Sequence, residues 1–388
     1  MSFADELGAW PRARVMDAIE RARTQDVEAA LAREMRGPED LCALLSPCAR
    51  AFLEPMAREA SRLTRWHFGR TIGMYVPLYL SNVCGADCVY CGYAVRSGNK
   101  EKRLNLSREE IRAECAALAA EGFQNVLLLT GEARRAAPVA YIADAVALAR
   151  EFFPAVSVEV YSLDESDYRL LCQRGLEGVT LYMETYDRAL YKAVHLKGEK
   201  TDYDYRLDAS ERAGRAGARR LGIGALLGLT DWQVDGFWTA LHGRYLQRVC
   251  WQSAVSVSFP RLLHTPKRFS VPRLVSDAEL VQLMLAMRLY LPEAGFTLST
   301  RERSEFRDHL IPLGITMMSA GSSTRPGGYA THIDETLEQF AIEDRRPPAH
   351  VAEAIRAKGY EPVWKDFDYA FDREPEPHEP LDVSSGDS

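Results

Sequence analysis

A (β/α)8 barrel with a helical N-terminal extension is the fold this sequence predicts. Three observations support it. Short apolar, β-prone runs alternate with helical patterns roughly eight times between residues 71 and 330. The first run, Met74–Ser81, is apolar throughout rather than alternating, as strands covered on both faces are. The alternation spans the roughly 250 residues that an α/β barrel commonly takes as one unit. A partial barrel of six strands is the alternative, because the last two runs are short.

The elements follow in order. Residues 1–70 read as a helical extension. Asp26–Arg33 is one helix, Pro38–Ser46 a second with Pro in its first turn, and Ala49–Leu63 a third with Phe52, Met56 and Ala60 in i, i+4 steps. Residues 71–330 form the barrel. Its strands are Met74–Ser81, Asn125–Thr130, Val156–Tyr161, Gly178–Met183, Leu221–Leu227, Ala254–Phe259, Phe296–Ser299 and Gly314–Ser319. Between them lie a helix opened by the capping box Ser107-Arg108-Glu109-Glu110, then Asp164–Arg174, Thr201–Ala216, Asp231–Val249 and Ser276–Leu291. Residues 331–371 form an irregular segment packed on the barrel, with a short helix over Ala349–Lys358. Residues 372–388, rich in Pro, Glu, Asp and Ser, predict disorder.

Composition excludes several classes. The 388 residues carry a net charge of −7, which argues against a nucleic-acid partner. The N-terminus has no basic, apolar leader, and no apolar run is long enough to span a bilayer. Eight cysteines are too sparse for a disulfide scaffold, so a reducing cytoplasm is expected. Cys42 and Cys48 read as small buried core residues.

Chemistry concentrates in the loop after the first strand. Cys84, Cys88 and Cys91 stand in a C-x3-C-x2-C frame with Tyr90 before the last. Three thiols are too few for a closed zinc site, but they suit a four-iron cluster with one iron left open for a ligand. A zinc loop completed by Cys115 or His195 is the alternative, and the absence of any second C-x2-C pair counts against it.

Barrel enzymes place chemistry at the carboxyl ends of their strands. After the second strand comes Thr130-Gly131-Glu132. The third carries Glu159 and Tyr161, and the fourth ends in Glu184. A buried carboxylate needs a donor or a charge; for Glu159 and Glu184 it is either a bound ligand or a basic neighbour such as Arg206. The fifth, ending at Leu227, is unusually glycine-rich, which permits backbone approach to a flat ring or tight strand–helix contact. Arg301 follows the seventh strand beside Ser299, and Ser319 ends the eighth. Arginine offers a planar fork for a carboxylate, so these residues look like a site for an amino acid's carboxylate. A salt bridge of Arg301 with Glu302 or Glu305 is the rival.

The cysteine frame resembles that of the radical S-adenosylmethionine (SAM) superfamily. The resemblance implies a [4Fe-4S] cluster on the three cysteines, with SAM on the open iron and its methionine amino group on the backbone near Thr130-Gly131-Glu132. Thr130 stands where the family has Gly. Ordered segments carry the likeness further: Tyr-Leu-Ser-Asn before the cysteines, Leu-Leu-x-Thr-Gly-Glu, Glu-Thr-Tyr followed by His195-Leu196-Lys197-Gly198, Gly-Ile-Gly-Ala-Leu-Leu-Gly-Leu, Val-Ser-Phe-Pro-Arg, Leu-Ser-Thr-Arg-Glu, Pro-Gly-Gly-Tyr, and Pro362-Val363-Trp364-Lys365-Asp366. From about Leu41 to Asp368 they resemble the 2-iminoacetate synthase family, with Tyr93 replacing an expected Phe. That family's chemistry implies cleavage of L-tyrosine to 2-iminoacetate and p-cresol for thiamine thiazole synthesis. It also implies thiazole synthase and an electron donor such as flavodoxin or ferredoxin as partners. On this likeness Tyr90, Thr130, Gly131, Glu132, Glu159, Tyr161, Glu184, Arg206 and Leu227 bind the cofactor, and Arg301, Ser299 and Ser319 the substrate. A tryptophan lyase and a non-catalytic iron–sulfur protein are the competing readings. The related lyase of hydrogenase maturation carries a second cluster on a cysteine-containing C-terminal extension. Here the last cysteine is Cys250, which counts against carbon monoxide and cyanide formation.

Overall fold

The computed structural model describes residues 2–98, 102–263, 269–330 and 339–364. Five helices come first: α1 (Phe3–Ala9), α2 (Arg12–Arg21), α3 (Thr24–Ala32), α4 (Pro38–Leu45) and α5 (Leu53–Phe68), with a 3-10 turn at Pro47–Phe52 before the last. The barrel follows as β1 (Thr71–Ser81), α6 (Arg108–Ala120), β2 (Asn125–Thr130), α7 (Val139–Ala149), β3 (Ala155–Glu159), α8 (Glu165–Gln173) and β4 (Gly178–Thr180). Next come α9 (Arg188–Val194), α10 (Tyr203–Leu207), α11 (Ala209–Arg215), β5 (Arg220–Gly224), α12 (Trp232–Val249), β6 (Ala254–Ser258), α13 (Asp277–Tyr290), β7 (Gly295–Leu298), α14 (Ser304–Leu310) and β8 (Met317–Ser319). The chain ends with α15 (Pro348–Ala357) and β9 (Glu361–Val363).

Every strand pairing is parallel, and β8 and β2 both pair with β1, so the barrel closes completely. Strands β1–β8 run in sequence order around it, which is the (β/α)8 architecture expected. The register of β1 against β2 slips between Tyr79 and Ser81, a bulge at the point where the chain leaves the sheet for the cysteine loop.

The capping box at Ser107 forms as predicted, with Ser107 accepting from the Glu110 amide. Other expectations need correction. The helix predicted over Thr201–Ala216 is two, α10 and α11, joined at Asp208. The helix predicted from Ala49 begins as the 3-10 turn and is α-helical only from Leu53. The last barrel strand starts at Met317, because Gly314 sits in a turn at φ +124°. The ninth strand went unpredicted: Glu361-Pro362-Val363 is short and contains proline, yet it pairs with Thr71–Gly73. The tail from 365 onward lies outside the described residues.

The N-terminal helices cover α12 and α13. Gln282 donates to the carbonyls of Leu44 and Ser46, Trp238 to that of Trp10, and Phe3 stacks on His242 with centroids 4.1 Å apart. The barrel mouth at the strands' carboxyl ends stays open as a cavity of about 560 Å³, within the roughly 300–1,000 Å³ usual for small-molecule sites.

Candidate active site

The cysteine loop is pinned on two sides. Asp87 N–H donates to Lys197 O, Leu196 N–H to Asp87 O and Val89 N–H to Val194 O, so the loop runs antiparallel to residues 194–197. On its other flank Gly85 N–H donates to Glu132 O at 2.8 Å. Both contacts require glycine: a Cβ on Gly131 would lie 2.3 Å from Val83 O, and one on Gly198 2.9 Å from Ala86 Cα.

The three cysteines are free thiols, and Cys91 lines the cavity. Burial pushes the Cys91 thiol up to about 11 and raises those of Cys84 and Cys88 as well, while Lys200 opposes the rise. Thiolates here therefore need positive charge beside them, which bound iron supplies. Among the described residues no three Cys, His, Asp or Glu side chains close around a single ion. Three thiols on one loop fit a cluster that takes a thiolate on each of three irons. The zinc alternative fails at its fourth ligand. His195 Nε2 is 2.7 Å from the Tyr90 hydroxyl and Nδ1 is 2.9 Å from Tyr191 O, which occupies both nitrogens. Burial drives His195 down to about 2, so the ring is neutral: Nδ1–H donates to Tyr191, and Nε2 accepts from Tyr90. Cys115 is buried within α6.

Tyr90, Cys91, Glu159, Glu184, Ser299, Arg301 and Ser319 all line the cavity. Arg301 is not paired with Glu302 or Glu305: Glu302 is held by Arg261 at 2.7 Å, and Glu305 is exposed. Instead the Arg301 guanidinium lies over the Phe340 ring, 3.5 Å from its centroid. The Ser299 hydroxyl accepts from Arg301 N–H and the Ser319 hydroxyl from Thr300 N–H, so both brace the loop after β7.

The two carboxylates differ. Glu184 receives Lys200 Nζ at 2.6 Å. Burial opposes its ionisation, but Lys200 and Arg206 outweigh burial and hold its carboxyl below the usual range. Its backbone has φ +67°, a left-handed conformation uncommon for a residue other than glycine and typical of functional sites. No ion pair reaches Glu159 among the described residues; burial, then Glu184, pushes it up to about 7.

Arg206 pairs with neither carboxylate, as a basic neighbour would. It donates to Glu132 Oε1 at 2.8 Å and to Tyr182 O, and so fixes Glu132 beside the cysteine loop. Thr130, Gly131, Glu132 and Arg206 are not among the residues lining this cavity and sit against the cysteine loop, where Glu132 O accepts from Gly85 N–H. The carbonyls of Gly131 and Glu132 accept from Ala133 and Gly85, leaving one lone pair each. Two further residues assigned to the cofactor, Tyr161 and Leu227, also do not line this cavity. Tyr161 turns away, donating to Ala137 O and packing against Arg134. Leu227 pairs with Arg261 in β-bridge fashion, and the cavity wall is made by its neighbours Leu226 and Leu262.

Sequence reasoning missed Lys200 and the segment 339–341. Lys200 lies two residues past Gly198, and a buried Glu184 needing a cation was the available signal. Phe340 and Gln339, which accepts from Tyr79 at 2.6 Å, carry no local signal.

A three-thiol loop after the first strand of a closed parallel barrel, opening into a cavity lined by an arginine that no carboxylate pairs with among the described residues, defines a radical SAM enzyme, with a [4Fe-4S] cluster and SAM as its cofactors. The sequence pattern of the Radical SAM superfamily matches residues 78–237, and that of the Biotin and Thiamin Synthesis associated domain residues 258–361. The chain is 46% identical to 2-iminoacetate synthase of Escherichia coli K12 over 88% of its length and 90% of the relative's, and 45% identical to that of Salmonella typhimurium over the same shares. It belongs to the 2-iminoacetate synthase family. A solved structure of HydG, a maturase of the [FeFe]-hydrogenase, superposes with a TM-score of 0.84 at 30% identity, over 91% of this chain and 80% of that one.

Proposed function

We propose that the protein cleaves the Cα–Cβ bond of L-tyrosine, giving 2-iminoacetate and p-cresol for the thiazole of thiamine. The observation that carries this is Arg301, a cation that no carboxylate pairs with among the described residues, lining the same cavity as Cys91. When bound, the cluster and SAM supply a 5′-deoxyadenosyl radical able to take a hydrogen atom from the substrate's amino group. The chain's part is to hold that group in place and keep out water.

Cys84, Cys88 and Cys91 hold the cluster. Tyr90, fixed by His195, would flank it. Thr130, Gly131 and Glu132 would take SAM's methionine amino group through backbone carbonyls, with Glu132 oriented by Arg206; Glu159 and Glu184 would accept hydrogen bonds from its amino group or ribose hydroxyls. Arg301 clamps the tyrosine carboxylate in a bidentate fork, with Ser299 and Ser319 shaping its loop. We read residues 1–70 as an extension, 71–330 as the catalytic barrel and 331–371 as a segment packed on it.

Thiazole synthase, as recipient of 2-iminoacetate, and a flavodoxin or ferredoxin, as electron donor, complete the proposal. The compartment is the cytoplasm, where thiols stay reduced; no described helix is long and apolar enough to cross a membrane. The test is anaerobic incubation of the reconstituted protein with reductant, SAM and tyrosine. Release of 5′-deoxyadenosine and p-cresol is expected. SAM cleavage without p-cresol, or an indole product from tryptophan, would overturn the tyrosine reading.

A further inference from the structure

The barrel is hollow below the catalytic cavity. A second cavity of about 350 Å³ occupies the lumen at the strands' amino ends, where Thr71 and Glu293 line it and are exposed. Tyr75, Leu127, Tyr182, Ser258 and Thr297 line both cavities, so the two meet at one shared belt of side chains. Along β7, Gly295 lines the lower chamber, Thr297 both, and Ser299 and Arg301 the catalytic cavity. An eight-stranded barrel normally fills its interior with layers of bulky aliphatic side chains. Here the lower layers are small: Gly73, Ser157, Thr180, Gly222, Ser256 and Gly295. Ser157, Thr180, Ser256 and Thr297 are consequently only half-buried, while Val158, Val179, Val257 and Leu298, which alternate with them and face outward, are buried. Among the described residues the hydroxyls of Ser157, Thr180 and Ser256 make no hydrogen bond to the protein.

We infer that this lower chamber takes up the phenolic fragment of the substrate and is the way out for p-cresol, at the barrel face opposite the cysteine loop. The inference rests on the tyrosine reading above. A tyrosine clamped by its carboxylate at Arg301 directs its ring away from that arginine, toward the shared belt. When Cα–Cβ breaks, 2-iminoacetate stays on the arginine side and the ring fragment is left beside the chamber. The chamber suits a phenol better than a carboxylate. Its free hydroxyls can donate to or accept from one phenol group. Of its lining residues only Arg220 is cationic, and Glu177 engages it at 2.9 Å, while Glu293 adds negative charge at the mouth. Glycine keeps the space: a Cβ on Gly222 would lie 2.5 Å from Thr180 Oγ1, and one on Gly178 2.7 Å from Ser157 Oγ. A separate exit lets the phenol leave without opening the cavity that holds a water-labile imine.

The test fills the chamber with Ser157→Leu and, separately, Ser256→Leu, each checked for unchanged iron content and melting temperature. Anaerobically reconstituted enzyme is first held with SAM and tyrosine but no reductant, so that tyrosine occupies the catalytic cavity, and p-cresol is titrated by equilibrium dialysis. The parent is expected to bind p-cresol, and both variants to bind it about tenfold more weakly with tyrosine affinity unchanged. Reductant is then added for a single turnover. The variants should form 5′-deoxyadenosine at the parent's rate and release p-cresol more slowly, while glyoxylate, the hydrolysis product of 2-iminoacetate, leaves as in the parent. Equal p-cresol affinity in parent and variants would overturn the inference. So would glyoxylate slowed together with p-cresol, which would show one shared exit. Binding of p-cresol needs no bond cleavage, so a parent that binds it here yet forms none on reduction would overturn the tyrosine reading and keep the chamber as a phenol site.

Discussion

Arg301 owes its availability to its neighbours. Arg261 takes Glu302, the adjacent carboxylate, and Phe340 supports the guanidinium from one face without neutralising it. Substituting lysine keeps the charge but loses the planar fork. Arg301→Lys is therefore expected to raise KM for tyrosine by roughly tenfold or more, from a lost charged hydrogen bond of about 1.5–3 kcal/mol. SAM binding should be unchanged, and steady-state kinetics beside SAM titration check both. Phe340→Leu removes a cation–π contact of about 0.5–2 kcal/mol. Its expected outcome is a several-fold rise in KM with kcat retained; a fall in kcat alone would show that Phe340 does not act through Arg301. The arginine could be read from sequence because a charged fork directly after a barrel strand has few structural uses. Phe340 could not, because it arrives from an irregular segment whose docking leaves no periodic trace. Tyr161 sits just past β3, and its hydroxyl is spent on Ala137 O rather than on the cavity, which the sequence did not signal.

At the scale of elements, the cysteine loop depends on what leans against it. The bulge at the end of β1 starts it, and residues 194–198 pair along it. Gly198 has φ +94° and touches Ala86, whereas Gly217, at φ +103°, faces open space. Gly198→Ala is thus expected to cost both backbone strain, of order 1–3 kcal/mol, and a displaced loop. Gly217→Ala costs strain alone. Iron and sulfide content after reconstitution should fall for the first variant and hold for the second, with thermal stability lowered in both. The repeating strand–helix pattern was readable because buried parallel strands are continuous apolar runs. Strand ends were read less well: β4 was expected to reach Met183 but ends at Thr180, although Leu181 and Met183 still donate to β5 carbonyls.

For the molecule as a whole, burial of the N-terminal helices against α12 sets a pH dependence. His242 is buried against Phe3, with Nδ1 2.9 Å from the Tyr186 hydroxyl, and burial lowers it to about 3. Its pKa is depressed in the folded state, so the stability it confers is full above about 6.5 and is lost as pH falls toward 3. Each such proton contributes a slope of about 1.4 kcal/mol per pH unit. Other buried groups, His195 and Glu159 among them, titrate in the same window and are common to parent and variant, so the difference is diagnostic. In denaturant unfolding of the apo-protein between pH 6.5 and 5, His242→Gln should lower the slope of stability against pH by about this amount, and equal slopes would mean the ring is protonated in the fold.

The earliest barrel strand carries the cysteines, and the latest strand described, β9, zips along its first residues at Thr71–Gly73. A growing polypeptide cannot complete that edge until residue 363 has been made. The strand that leads into the cysteines therefore keeps a bare edge along Thr71–Gly73 in any nascent chain shorter than that.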